Sequence, residues 1–141
     1  MDLKIKKLHP DAIVPKYAHH NDAGMDLFSV EDCTINPGEV FKVRTGIAIE
    51  LPGGYASLVW DKSGLAANHL LKTVGGVLDA GYRGEYLINI INLGKEKYEV
   101  KKGYKIAQLL IQRVEHPTIQ IVEELSDSER GANGFGSTGK K

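Results

Sequence analysis

The sequence predicts an all-β fold, built as a sandwich or a barrel within one domain. The chain has 141 residues, a length typical of a single domain that can bury a core. Short runs rich in β-branched and aromatic residues recur along it, and 16 glycines and 5 prolines separate them. Many short strands between turn residues are typical of sandwiches and barrels. We find no internal repeat and no linker.

Several segments have the composition of strands. The clearest is residues 40–49, which alternates over most of its length between a Pro-Gly turn before it and a Pro-Gly-Gly turn after it. The predicted strands are residues 3–8, 40–49, 55–60, 86–93, 98–100, 105–114 and 119–122. The only candidate helix is short and lies near residues 63–68.

Charge and cysteine content indicate the environment of the protein. The 18 Lys and Arg residues balance 18 Asp and Glu residues, so no net field attracts a nucleic acid or a membrane, and we expect neither partner. Cys33 is the only cysteine, which excludes an internal disulfide and suits a reducing compartment. No apolar run resembles a signal peptide or a membrane span. We therefore expect a soluble cytoplasmic protein.

The histidines do not predict a metal site. His19 and His20 are adjacent, and adjacent side chains of an extended segment point to opposite faces. His9, His69 and His116 have no cysteine or paired spacing around them. We therefore predict no metal ion held directly by protein ligands.

Residues 75–85 are predicted to form a β-hairpin, with Asp79 at its tip and Tyr82 just beyond it. Asp79 has two interpretations. It is either an ordinary turn aspartate or a carboxylate beside a phosphate that takes a proton from water. This segment alone favours the turn interpretation, because aspartate is so common in turns.

Three further segments carry polar groups that suit an anion or a metal ion. Lys62, the Ser63 hydroxyl and the Gly64 N–H could hold an anion where a short helix begins, although Ser63 alone is better explained as an N-cap. Asp26 has three interpretations: a buried, partnered carboxylate, a group that holds the waters of a metal ion, or a turn residue. Gln108 is an amide inside an apolar strand, where a position on the outer face is the usual explanation.

The segment of residues 130–139 combines four glycines with Arg130, Phe135, Ser137 and Thr138. Its glycines let backbone N–H groups turn toward an anion, its polar side chains suit phosphate, and its phenyl ring could stack on a base. Two phosphate-loop patterns also match here, but both need a helix after the glycines and none is expected. The alternative is a disordered polar tail.

Five segments, taken in order, resemble the motifs of the trimeric deoxyuridine triphosphatase family, the dUTPases. The segments are residues 23–27, 62–65, 76–85, 106–109 and 130–139. The third and fifth are specific signals, whereas the others are weak alone. Three departures stand out: Asp61-Lys62 in place of Pro-Arg, Lys105 in place of an arginine, and Met25 in place of a common tyrosine. Lysine keeps the positive charge but loses the bidentate fork of arginine.

The resemblance implies a distorted jelly-roll fold that assembles as a homotrimer. Residues 1–125 would form the β domain, and residues 126–141 a flexible C-terminal lid over an active site drawn from all three chains. The implied reaction is Mg²⁺-dependent hydrolysis of dUTP to dUMP and pyrophosphate by attack of water on the α-phosphorus. This reaction would keep uracil out of DNA and supply dUMP for thymidylate synthesis.

The resemblance also implies a role for each candidate residue. Asp79 would orient and deprotonate the water, Tyr82 would pack under the deoxyribose and exclude a 2′-hydroxyl, and Asp26 would hold waters of a Mg²⁺ bound mainly by the triphosphate. The remaining contacts would come from the uracil-reading backbone of Gly76, Val77 and Leu78, from the phosphate-binding residues Lys62, Ser63, Gly64 and Gln108, and from the lid residues Arg130, Phe135, Gly136, Ser137 and Thr138. In the lid, Phe135 would stack on uracil. Cytosine presents a donor where uracil presents an acceptor, so it would leave such a backbone unpaired.

Two other functions remain open from the sequence. dCTP deaminase, or its bifunctional relative, shares the implied fold but needs a glutamate placed to deaminate the base. The complete glycine-rich tail favours the hydrolase instead. A non-catalytic nucleotide sensor on the same scaffold would have no need of Asp79.

Overall fold

The computed structural model describes residues 1–140, and it confirms the predicted all-β class. Lys141, the last residue of the predicted lid, lies outside the described residues. The elements are β1 (Lys4–Lys7), β2 (Met25–Phe28), β3 (Cys33–Ile35), β4 (Val40–Glu50), β5 (Tyr55–Trp60), α1 (Ser63–His69), β6 (Leu71–Thr73), β7 (Val77–Asp79), β8 (Glu85–Asn92), β9 (Tyr98–Val100) and β10 (Lys105–Arg113). No helix within residues 1–140 is long and apolar enough to cross a membrane.

The strands form two four-stranded antiparallel sheets and one two-stranded ribbon. The first sheet has the order β1-β4-β8-β6, the second sheet the order β2-β10-β5-β7, and the ribbon pairs β3 with β9. Both sheets remain open, so the strands of residues 1–140 do not close into a barrel. The second sheet carries Asp26, Val77, Leu78, Asp79 and Gln108 of the candidate site residues.

Both sheets contribute to a single hydrophobic core. In β8 every second residue is buried, as expected for a strand with one face on a core. The core side chains of the main strands are Leu27, Val43, Ile47, Ile49, Val59, Tyr86, Ile88, Ile90, Ile106, Ala107 and Leu109. Their burial holds the two sheets together and fixes the strand ends that carry the site.

Most predicted strands and the predicted helix are confirmed to within one or two residues, but two groups of elements differ. The strand predicted at residues 119–122 is wrong, because the segment pairs with no strand and Ile121 is fully exposed. Strand composition alone does not make a strand without a neighbour to complete its hydrogen bonds. The strands β2, β3 and β6 were not predicted, and β7 was predicted only as an arm of the hairpin.

The predicted hairpin at residues 75–85 is also wrong. β7 pairs with β5 in the second sheet, whereas β8 pairs with β4 and β6 in the first. The segment is therefore a turn that crosses between sheets, and Asp79 is the last residue of β7 rather than a hairpin tip. The crossing requires a glycine at position 76, because its φ is +101° and a Cβ would lie 2.8 Å from the carbonyl oxygen of Val59.

The chain beyond β10 leaves the two sheets. Residues 114–140 contain no strand or helix, and Phe135 is completely exposed. The backbone hydrogen bonds of residues 128–139 close turns within that segment, for example from Ser137 N–H to Gly134 O at 3.0 Å. The tail is thus held by local turns rather than by packing on the domain.

Candidate active site

The candidate residues fall into two groups at the strands of the second sheet and the segments next to them, with the tail as a third element. The first, the carboxylate group, contains Asp79 and Tyr82. The second, the polar group, contains Asp26, Lys62 and Gln108. Strand β5 links the two, because it pairs with β7 on one side and β10 on the other.

Asp79 presents an exposed carboxylate at the end of β7. Val77, Leu78, Asp79 and Tyr82 line a shallow cavity of about 180 Å³. Within residues 1–140 no hydrogen bond or ion pair engages the Asp79 side chain. A carboxylate with free oxygens at the mouth of a cavity can accept a proton from a water molecule bound there.

The ring of Tyr82 is held in place beside this carboxylate. Its hydroxyl donates a hydrogen bond to the carbonyl of Glu85 at 2.9 Å, and its ring centre lies 6.2 Å from that of Tyr86. A Cβ on Gly84 would overlap the Tyr82 ring, so only glycine leaves room for this placement. The Tyr86 hydroxyl is buried and shares a 2.7 Å hydrogen bond with Ser57 Oγ.

Val77 and Leu78 lie on the edge strand β7, and Gly76 directly precedes it. An edge strand has backbone N–H and C=O groups on one side that no neighbouring strand satisfies. The Gly76 carbonyl faces inward and accepts a hydrogen bond from Val59 N–H at 2.7 Å. The backbone groups of Val77 then face outward and can bind the polar edge of a planar base.

Asp26 is buried and paired with two lysines. Lys62 Nζ donates a hydrogen bond to Asp26 Oδ1, and Lys105 Nζ lies 2.8 Å from Oδ2. Burial raises the pKa of the Asp26 carboxyl, but the contacts with Lys105 and Lys62 outweigh it and leave the pKa below its usual value. The prediction of a buried, partnered carboxylate is confirmed. Both lysines occupy positions where the family pattern has arginine, and both meet at this one side chain.

Lys62, Ser63 and Gly64 lie where α1 begins. The N-cap is Lys62, with an extended backbone and no side-chain cap, so the N-cap interpretation of Ser63 is wrong. Ser63 and Gly64 are exposed, and no atom would contact a Cβ built on Gly64. The first N–H groups of a helix have no partner within it, so this end is open to an anion.

Gln108 is directed into the polar group rather than to solvent. It pairs with Asp26 on β2 and with Trp60 on β5. Its Nε2 donates a hydrogen bond to the carbonyl of Asp61 at 2.8 Å. A Cβ on Gly24 would lie 2.8 Å from Gln108 Oε1, which explains a glycine at that position. Its neighbours Ala107 and Leu109 belong to the core, so Gln108 lies on the outer face of β10, as expected, and is half-buried there against the polar group.

Sequence reasoning assigned no role to Asp61. Its carboxylate accepts hydrogen bonds from Thr73 N–H at 2.6 Å and from Thr73 Oγ1 at 2.7 Å. It also pairs with Lys72 at 3.1 Å. The only signal in the sequence was the aspartate at a position where the family pattern has proline.

The two groups of one chain do not meet. Asp79 pairs with Ala56 at the start of β5, whereas Gln108 pairs with Trp60 at its end and with Asp26 on β2. Between Asp79 and Asp26, the rise of the strand contributes about 13 Å along β5, and three strand spacings add about 14 Å across the sheet. In a single chain the groups are thus roughly 20 Å apart.

The tail residues meet neither group. Arg130 Nε donates to the Asn133 carbonyl at 2.7 Å, and Phe135 is exposed with a φ of +51°. Gly136 and Ser137 belong to the local turns, and Thr138 is exposed. The candidate site therefore exists in this chain as separate parts.

Comparison with known proteins places these parts in a family. A sequence model of the dUTPase family matches residues 10–139. The chain is 50% identical over 140 residues to the deoxyuridine 5′-triphosphate nucleotidohydrolase of Clostridioides difficile, with 98% of each chain covered.

Solved structures agree. A mutant of Staphylococcus bacteriophage 80alpha dUTPase with dUpNHpp gives a TM-score of 0.94 at 33% identity, with 99% of both chains covered. A mutant dUTPase from phage phi11 of S. aureus, described with a structural Mg(II) ion, gives a TM-score of 0.83 at 29% identity, covering 88% of this chain and 98% of that one. With the family model matching nearly its whole length and a relative identical at half of the aligned positions, the chain belongs to the dUTPase family.

Proposed function

We propose that this protein hydrolyses dUTP to dUMP and pyrophosphate by attack of water on the α-phosphorus. The observation that carries the proposal is Asp79, an exposed carboxylate with no partner within residues 1–140, next to the fixed ring of Tyr82. Family membership and the likeness to a dUTPase with dUpNHpp support the choice of substrate. The activity would keep uracil out of DNA and supply dUMP for thymidylate synthesis. A cytoplasmic location stays a prediction from the sequence.

The chemistry follows from where the carboxylate group lies. A water molecule held by Asp79 transfers a proton to the carboxylate as its oxygen attacks phosphorus, and the bond to the pyrophosphate oxygen breaks. The Tyr82 ring lies under the deoxyribose and leaves no space for a 2′-hydroxyl. The backbone of Gly76, Val77 and Leu78 would read the uracil edge, with the outward N–H and C=O groups of Val77 available because β7 is an edge strand.

The phosphates bind at the polar group. The N–H groups of Ser63 and Gly64 and the Ser63 hydroxyl provide donors at the open start of α1. Gln108 uses one amide hydrogen on Asp61 and has a second for a phosphate oxygen. Lys62 contributes its charge nearby while it pairs with Asp26.

Mg²⁺ fits this site as an ion held mainly by the triphosphate. Within residues 1–140 no cluster of three or more His, Cys, Asp or Glu side chains could hold a metal ion. Asp26 Oδ2 is buried, and within residues 1–140 its neighbour Lys105 Nζ, at 2.8 Å, is not aligned for a hydrogen bond, so this oxygen could accept one from a metal-bound water. When bound, Mg²⁺ neutralises phosphate charge and keeps most of its waters.

The complete site is proposed to form in a homotrimer with a jelly-roll fold in each chain. The carboxylate group and the polar group of one chain are too far apart to share a nucleotide, so they would meet across chains. Ile119, Ile121 and Leu125 are at least 88% exposed, which suits a segment that packs on a neighbouring chain. Residues 126–141 would act as the lid, with Phe135 on uracil and Arg130, Gly136, Ser137 and Thr138 over the phosphates.

Product analysis with Mg²⁺ tests this function. Wild-type protein should convert dUTP to dUMP and pyrophosphate, and oxygen-18 from labelled water should appear in dUMP. Label in pyrophosphate instead would contradict attack at the α-phosphorus. Ammonia released from dCTP would show a deaminase, and tight binding of dUTP without any product would show a sensor. Light scattering of the same sample tests the trimer.

A further inference from the structure

Asp61 connects the two sheets at the residue that precedes the phosphate-binding start of α1. Its carbonyl accepts a hydrogen bond from Gln108 on β10, in the second sheet. Its carboxylate accepts two hydrogen bonds from Thr73, at the end of β6, and pairs with Lys72 of the same strand, in the first sheet. Both polar ends of one residue are thus anchored, each to a different sheet.

The contacts of the Asp61 side chain are largely shielded from solvent, which restricts the orientation of this residue. Thr73 is buried, and the Asp61 side chain is 23% exposed. Burial alone would raise the pKa of Asp61, but hydrogen bonds from Thr73 and the contact with Lys72 outweigh it and hold the pKa below its usual value. Asp61 is therefore charged when it accepts these bonds, and charge-assisted hydrogen bonds are about twice as strong as neutral ones.

The opposite end of α1 is anchored as well. Leu70 closes the helix with a left-handed backbone, at a φ of +53°, and its N–H donates to Ala66 O. The Leu70 carbonyl then accepts a hydrogen bond from Leu93 N–H at 2.9 Å. The helix is thus held at its C-terminal end through Leu70, and at its N-terminal end through Asp61, the residue that directly precedes Lys62.

We propose that Asp61 is a positioning residue that fixes the donors of Lys62, Ser63 and Gly64 for the phosphate chain of the substrate. This inference rests on the proposed function, since it assumes that these donors bind phosphate. The family pattern has proline here, and proline restricts φ by its ring. Asp61 has no such restriction, and its side-chain contacts with β6 supply the rigidity instead.

Nucleotide binding by matched variants tests the proposal. Asp61→Ala removes all carboxylate contacts, and Asp61→Asn keeps an oxygen that can accept both bonds from Thr73. We expect Asp61→Ala to weaken dUpNHpp binding about tenfold. A loss of this size is about the contribution of one hydrogen bond to a charged group. Binding of deoxyuridine, which has no phosphate, should be unchanged. Asp61→Asn should retain most of the wild-type affinity for dUpNHpp.

Two controls keep the result interpretable. Asp11→Asn removes another carboxylate paired with a lysine, Lys102 at 2.9 Å, and should leave both affinities unchanged. Thr73→Val removes one of the two donors to Asp61 and should give a smaller loss for dUpNHpp alone, so it tests the proposal even if Asp61→Ala does not fold.

Three outcomes would overturn the proposal. These are unchanged dUpNHpp binding in Asp61→Ala and Thr73→Val, equal losses for dUpNHpp and deoxyuridine, and no rescue by Asp61→Asn. Failure of the wild type itself to bind dUpNHpp or hydrolyse dUTP would instead contradict the proposed function.

Discussion

The pairing of Asp26 with two lysines predicts a measurable loss of stability in Asp26→Asn. The Asp26 side chain is 6% exposed, whereas those of Lys62 and Lys105 are 29% and 47% exposed. In the variant, the amide oxygen can still accept from one lysine, but the amide nitrogen faces the ammonium group of the other. A fully buried pair broken in this way costs about 3–5 kcal/mol. Water reaches both lysines here, so we expect about 2 kcal/mol.

Urea unfolding measures this loss. The experiment is done at neutral pH and fixed protein concentration, without nucleotide or Mg²⁺, so that neither binding nor assembly alters the comparison. Asp11→Asn is the matched control, because its pair with Lys102 is exposed on both sides and should contribute nothing measurable. Equal stability of the two variants would refute the argument. A more stable Asp26→Asn would show that the desolvation penalty of the buried carboxylate exceeds its attraction to the two lysines.

Three further predictions follow from the site. Deleting residues 130–141 should leave the fold and assembly intact, by circular dichroism and light scattering, but lower dUTP turnover severely; unchanged kinetics would refute the lid. Gly84→Ala should displace the Tyr82 ring and raise KM for dUTP, and wild-type kinetics would contradict the packing of that ring. Because the pKa of Asp61 is lowered, its stabilisation is complete above about pH 4 and is lost as pH falls through the folded-state value. Asp61→Asn should therefore be less stable than wild type at pH 7 and approach it in acid; a difference independent of pH would contradict this sign.

The longer elements were predictable because their sequence pattern is local. Residues 40–49 and strand β8 are each long enough to show a period. The hairpin prediction at residues 75–85 was wrong because the pairing of these strands is not local. Its turn residues were identified correctly, but the partners of β7 and β8 are distant strands, and nothing in the segment specifies them.

The candidate site was predictable as a set of motifs but not as a geometry. Lys62 was predicted to bind phosphate and Lys105 appeared only as a departure from arginine, but their meeting at Asp26 depends on how the chain folds around β2 and β10. The role of Asp61 depends on Thr73, which lies in a strand that was not predicted. For tail residues such as Phe135, the sequence does not indicate a position in the folded protein.

The central claim is that Asp79 activates the water that hydrolyses dUTP. The most direct measurement is single-turnover hydrolysis of dUTP with Mg²⁺ by wild type and Asp79→Asn, with dUpNHpp affinity measured on the same samples. Loss of a general base costs about 10²- to 10⁴-fold in rate. We predict a loss in that range with dUpNHpp affinity largely intact, because the amide has the carboxylate's shape but cannot accept the proton. Turnover by Asp79→Asn at the wild-type rate would contradict the claim.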